Sequence, residues 1–417
     1  MKVRKKLMLF TGVLGATVLL TACGNDSATN ADEAGGGTIR YALWDAVQAP
    51  VFEELAAKFY EETGVTVNFE LTPWAQYWTN LETAITGQNA PDVFWMNIPR
   101  APDYIENGVL LPLDNLNIAE GSIPQNFLDA FSSEEGVVYG IPKDFDSVAL
   151  YFNTTMFDEA GLGFPDYTWT WEDFKDAART LTEELDGVHG FAAPVAWQGG
   201  YYEAILQNGG TPFINDGAES GFGEPAAIEA LEWWYSFHEE GLSPSIQILA
   251  ETTPGQLLLN GQVAMIFQGS WHMRTTFENP FGYEHIDIAP MPKGVRRATT
   301  SNSLAHVVSA HSQNPEAAKQ WIEFLSTKEN SQFVAEAGVA IPIVEGSAEA
   351  WTNAFPSKNL QVHIDALEYS FTLPNYKNSM GAIAIEQEIL NSAWVGDMTV
   401  REAALEIQQQ ANSILGN

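Results

Sequence analysis

Several of the chain's 13 tryptophans stand where a ring could meet a ligand, and acids stand close to them. Trp44 and Asp45 directly follow the apolar stretch Thr38–Leu43, and Trp95 and Asn97 close the stretch "PDVFWMN" in the same way. Tyr77 lies in the aromatic run "WAQYWTNL" with Trp74 and Trp78. Asp144 and Asp146 sit in "IPKDFDSVALYFN" among apolar neighbours, where an acid is costly unless it pairs or meets a ligand. Trp197 precedes paired glycines in "AWQGGYYEA", with Tyr201 just behind, and Trp271 follows Gly269 and Ser270 at the end of "AMIFQGSW". Flat rings supply stacking faces and a carboxylate accepts from two hydroxyls at once, so this set suits a ligand with apolar faces and a hydroxyl rim. Plainer readings stand beside these: Trp44 and Trp95 as core, Tyr77 as packing against a sheet, Asp144 and Asp146 as acids paired with cations in a hinge salt bridge. Trp233, Trp234 and Phe237 in "AAIEALEWWYSFHEEG" and Trp321 in "KQWIEFL" repeat at helical spacing and are read as core.

Other chemistries lack their residues. The seven histidines, among them His189, His272 and His306, show no spacing such as H-x-x-x-H. Neither a G-x-S-x-G elbow nor a phosphate-cradling loop occurs. No metal and no cofactor is expected.

The positioning elements follow from periodicity. Thr38 to Leu43 reads as a strand; Pro50 suits a helix's first turn, and Val51, Phe52, Leu55, Phe59 and Tyr60 recur at helical spacing. Gly64 ends that helix, and Val65 to Leu71 alternates as a second strand. Strand, helix and strand in this order imply a parallel pair with a covering helix. A helix near Tyr77 to Thr86 and a short strand after Pro91 repeat the unit, giving doubly wound α/β construction with ligands beyond the carboxyl ends of the strands. Trp44 and Trp95 fall at those ends. Thr170 with Asp173, and Thr399 with Glu402, predict capping boxes, and Asn314 with Pro315 opens a further helix. Short apolar strands are expected at "YGIPKDF", "ALYFN", "GQVAMIF" and "IDIAPMP".

The chain's start has its own logic. Lys2, Arg4, Lys5 and Lys6 precede an uncharged apolar run from Leu7 to Leu20, too short for a membrane span, so residues 1–22 read as an export signal. The only cysteine, Cys23, closes "LLTAC", and residues 23–37 carry no large apolar side chain, as befits a flexible tether. About 380 residues remain, enough for two lobes. Acids number 54 against 19 Lys and Arg, a net charge of −35, and loss of the signal's four cations takes the mature chain to −39. Such a surface repels nucleic acid and anionic lipid and fits a saline or alkaline habitat.

The chain resembles the extracellular solute-binding proteins of bacterial ABC importers, in the large carbohydrate-binding family that includes maltose-binding protein. The resemblance rests on "LWDAVQAPVFEELAAKFYEETGVTVNFE", "APDVFWMN" followed by "NGVLLPLD", "YGIPKDFDSVALYFNTTMFDEAGL", "TWTWEDFKDAARTLT", "GQVAMIFQGSW", "APMPKG", "HSQNPEAAKQWIEFLSTKENSQFVAEAGVAIP" and "MTVREAALEIQQQANSIL", in that order. "LTAC" resembles the bacterial lipobox, which implies acylation of Cys23; an ordinary secreted protein with a stray cysteine is the alternative. The resemblance implies a type II periplasmic-binding fold of two α/β lobes, residues 38–145 plus 290–338 and residues 146–289 plus 339–417, joined by crossing strands. It implies a sugar, and from the tryptophans an oligosaccharide, held between them by Trp44, Asp45, Asp144, Asp146 and Trp271. Asn302 and Ser303 stand where relatives carry a glycine pair facing the cleft. The implied partners are a carbohydrate and the permease subunits of an ABC transporter. The implied form is a monomer, held on the extracellular face of a Gram-positive membrane by its lipid alone and catalysing nothing. An anchored glycoside hydrolase would instead need two carboxylates flanking a scissile bond, and a sugar sensor or adhesin would need no permease.

Overall fold

In the computed structural model, which describes residues 37–416, strand β1 (Thr38–Leu43) forms where its sequence predicts. The expected signal, Cys23 and all but the last residue of the tether lie outside the described residues. Helix α1 (Ala49–Thr63) carries Pro50 in its first turn and buries Phe52, Leu55, Ala56 and Phe59. Tyr60, expected on that stripe, is exposed, because Ala56 and Phe59 already complete the buried face. Strand β2 (Thr66–Leu71) returns parallel to β1, pairing Thr38 with Thr66 and Leu43 with Leu71. Helix α2 (Trp74–Thr86) and β3 (Val93–Asn97) complete the second unit, with β3 parallel to β1 on its other side.

Strand β4 (Gly140–Asn153) departs from the sequence reading. The two strands expected at "YGIPKDF" and "ALYFN" are one strand of 14 residues. The acids between them do not break it because neighbouring groups satisfy them, and a β-bulge absorbs the irregularity: Leu304 pairs with Asp144 and Ala305 with Pro142, leaving Lys143 as the extra residue. The remaining strands are β5 (His189–Phe191), the short hairpin β6 (Phe213–Ile214) and β7 (Glu219–Ser220), β8 (Val263–Gly269), β9 (Ile286–Ala289), β10 (Thr299–Val308), β11 (Ile341–Pro342) and β12 (Ser370–Thr372). Among the described residues the main sheet runs β2-β1-β3-β10-β4-β8-β5, with β9 and β11 paired to β4 and β12 to β10. From Gly140 to Ser147 β4 pairs with β10; from Val148 onward it pairs with β8 and β9. Asp146 therefore lies at the point where one strand changes partners.

Helices cover the sheet. Both predicted capping boxes form, Thr170 with Asp173 before the helix Trp171–Glu184 and Thr399 with Glu402 before the helix Val400–Leu415. Asn314 precedes its helix as expected, but its amide donates to the Thr38 carbonyl at 3.1 Å rather than capping. Trp321 is fully buried in the core beneath α1, with Phe52, Leu55, Phe59 and Trp95. Trp234 and Phe237 are fully buried with Phe174, Phe191 and Phe267 in a second core. Trp233, expected in that core, is half-buried at its margin, stacked on Trp171 at 3.8 Å and 6°.

Candidate ligand-binding site

Antiparallel partners directly opposite share a face of the sheet. Asn302 opposes Asp146, Leu304 opposes Asp144, and Leu304 also opposes Asn97. Asn97, Asn302, Asp144 and Asp146 thus gather on one face across β3, β10 and β4. The bulge brings Lys143 beside Asp144, and the two form an ion pair. Lys143 Nζ lies 4.0 Å from the centre of the Trp95 ring and donates to Gln48 Oε1 at 3.1 Å. Gln48 Nε2 in turn donates to Asp45 Oδ2 at 3.0 Å, so Asp45 and Asp144 are linked through Gln48 and Lys143. Burial raises the Asp144 carboxyl, and Lys143 opposes that rise.

Asp146 differs. Gln198 Nε2 donates to its Oδ1 at 2.8 Å and the Asn302 N–H at 3.1 Å, and no cation pairs with it among the described residues. Burial first, then repulsion from Asp144, pushes it up to about 7 despite those bonds. It keeps part of its surface open. Asn97 and Asn302 are 2% and 6% exposed, and each has a buried amide oxygen without a partner among the described residues.

The aromatic groups stand around this face. Trp44 is half-buried and packs edge to face with Trp95 at 5.1 Å and with Tyr77 at 4.8 Å. Trp197 opens the segment Trp197–Tyr201, in which Gly199 takes the left-handed φ of 71° that lets Gln198 turn to Asp146. Trp271 is half-buried in the turn after β8. Its neighbour His272 is held below the ordinary imidazole range by burial, against an opposing pull from Asp45, so the turn after β8 and the turn after β1 lie within electrostatic reach.

Four expected contacts are placed otherwise. Trp95 is fully buried because it lies within β3 rather than beyond its end, and its Nε1 donates to the Tyr41 hydroxyl at 2.6 Å. Tyr77 is 2% exposed and its hydroxyl donates to the Trp95 carbonyl at 3.0 Å. Tyr201 is fully buried with its hydroxyl donating to Glu386 at 3.2 Å, and the Ser303 hydroxyl donates to the Asp144 carbonyl at 2.6 Å. These four support the site from behind. Gln48, Lys143 and Gln198 also belong to the face, beyond the residues the sequence points to. For Gln198 a signal existed in the adjoining Gly199–Gly200 pair, which frees the backbone beside Trp197.

Gly269 tests the placement of Trp271. Its φ of −82° suits any residue, so the need for glycine lies elsewhere. A Cβ there would fall 2.0 Å from the Trp271 ring. Gly269→Ala is expected to displace that ring and weaken ligand binding about tenfold while leaving the melting temperature within a few degrees. Titration calorimetry and thermal melting check this; wild-type affinity in the variant would separate Trp271 from the site.

The profile of the bacterial extracellular solute-binding proteins matches residues 45–332. A binding protein of Brucella abortus is 28% identical over 312 residues, covering 72% of this chain and 74% of that one. The diacetylchitobiose-binding protein of Streptomyces coelicolor is 24% identical over 355 residues, 81% and 82% of the two chains. Among solved structures, an ABC substrate-binding protein from Listeria monocytogenes in complex with cycloalternan is 26% identical and superposes with a TM-score of 0.85 over 91% of this chain and 99% of that one. The α/β fold class expected from the sequence is the one found. The chain belongs to the family of bacterial extracellular solute-binding proteins.

Proposed function

We propose that this protein captures an oligosaccharide and delivers it to an ABC permease without transforming it. One observation carries the reading: Asp146, a half-buried carboxyl group that no cation neutralises among the described residues, lies close to where β4 changes partners and is held by Gln198, the neighbour of Trp197. A sugar's C–H faces would stack on Trp44, Trp197 and Trp271, and its hydroxyls would donate to Asp146 and meet Asn97, Asn302 and Asp45. The names of two similar proteins support the class, one a diacetylchitobiose-binding protein and the other bound to cycloalternan.

Residues 38–145 plus 290–338 form one lobe of the proposed pair, and residues 146–289 plus 339–417 the other. The partner switch along β4 supports a joint there. A sugar held by one lobe gains contacts from the other only on closure, so ligand shifts the population toward the closed form, which the permease reads. Titration calorimetry against neutral mono- and oligosaccharides tests this. Saturable binding of at least one oligosaccharide with its chain length unchanged afterwards is the expected result. Indifference to every saccharide would end the reading, and release of shorter products would replace it with hydrolysis.

Acylated Cys23 tethers the proposed monomer to the extracellular face of a Gram-positive membrane, which keeps the binder near its permease. Labelled fatty acid should enter the wild type and not Cys23→Ala, and the variant should leave the membrane fraction. Equal membrane retention of both would refute the anchor.

A further inference from the structure

Three indoles form a staircase outward from the central carboxylates. Trp95, beneath Lys143, is fully buried; Trp44, 5.1 Å away and turned by 86°, is half-buried; Trp74, a further 5.1 Å on and turned by 71°, is 46% exposed. The steps follow the sheet. Trp95 lies on β3, Trp44 follows β1, and Trp74 opens the helix after β2, the edge strand. Leu43 and Leu71 pair at the ends of β1 and β2, which sets the two outer indoles side by side.

Core packing does not account for Trp74. Four residues later on the same helix, Trp78 is 6% exposed and anchors α2 with Tyr77 and Leu81. Trp74 meets that cluster only edge-on, at 5.7 Å and 89° from Trp78, and leaves nearly half its surface in water, as does Leu71 beside it at 48%. A ring that large, in line with the site and turned to solvent, is suited to stacking on a sugar.

We infer that Trp74 is an outer subsite that stacks on a saccharide unit beyond those gripped at Asp146, so that affinity depends on chain length. This rests on the saccharide reading above and adds to it the direction in which the bound chain runs, toward the β2 edge. The ligand must then be long enough to reach from Asp146 past Trp44.

The experiment is calorimetry on the wild type and on Trp74→Ala with chito- and malto-oligosaccharides of increasing length. Because Trp74 is half exposed, melting temperatures should agree closely. For the class that binds, wild-type affinity should rise with length; Trp74→Ala should match it within about twofold for the disaccharide and fall about tenfold behind for the longer members. Trp74→Phe should recover part of that loss. An equal loss at every length, or no loss at any, would overturn the subsite while leaving the saccharide reading intact. A wild type that binds no member of either series, or any other saccharide, would overturn both.

Discussion

Trp271→Ala will bind its saccharide about ten- to a hundredfold more weakly than the wild type, with little change in stability. The size follows from removing one stacking face that closes against the ligand, an effect of about 1.4–2.8 kcal/mol. The small stability change follows from its position. Trp271 is half-buried at the margin of the second core, in a turn rather than a strand, and its ring rests on Gly269 instead of filling the interior. Trp271→Phe should recover part of the affinity, since a smaller ring still offers a face. Calorimetry measures both variants, and an unchanged affinity in Trp271→Ala would remove this ring from the site.

The second large effect is on stability against pH. Burial pushes Glu386 up to about 8, although Tyr202 and Tyr201 donate to it at 2.9 and 3.2 Å. Glu203, fully buried and accepting from Thr300 and Gly199, is pushed up to about 7, as is Asp146. A carboxyl raised in the folded state holds its proton more tightly there than in the unfolded chain. Its contribution is therefore complete below its unfolded value and is lost as pH rises through the folded one, at up to about 1.4 kcal/mol per pH unit for each group. Buried histidines act in the opposite sense: burial depresses His306 and lowers His363 to about 3, so their contribution is lost as pH falls below about 6.5. Between about pH 4.5 and about pH 6.5 the two sets oppose each other; above about pH 6.5 only the carboxyls still titrate, so stability should fall from there to about pH 8. Glu386→Gln keeps the side-chain shape and an acceptor for the tyrosines but cannot ionise. Its stability relative to the wild type should rise steadily over that interval, read by denaturant unfolding at several pH values. A difference independent of pH would mean that Glu386 ionises as freely in the folded protein as in the unfolded chain.

Local order was legible where local rules decide it. The β1–α1–β2 unit and two capping boxes were readable because strand alternation, helical spacing and cap chemistry act within a few residues. The candidate site was half legible. Strand-end positions mark Trp44, Asp45 and Trp271, and apolar flanks mark Asp146, but neither signal separates Trp44 from Trp95. That distinction depends on where each strand ends: Trp44 lies just beyond β1, whereas Trp95 lies inside β3, whose last residues pair with β10 some 200 positions away in sequence. The pairing of Lys143 with Asp144 was hidden for a like reason. It needs a bulge defined by β10, and without it "PKDFD" looks like a break between strands. Gln198 reaches Asp146 across 52 positions, a distance no periodicity spans.

In the proposed complex a saccharide is held at the face where β4 changes partners, with a hydroxyl on Asp146 and a ring on Trp271. A crystal structure of the protein with the tightest-binding oligosaccharide of the calorimetric panel tests it most directly. Density is expected for a sugar ring stacked on Trp271, within hydrogen-bond distance of the Asp146 carboxyl group and reaching toward Trp44. A saccharide bound elsewhere, with Asp146 and Trp271 untouched, would contradict it.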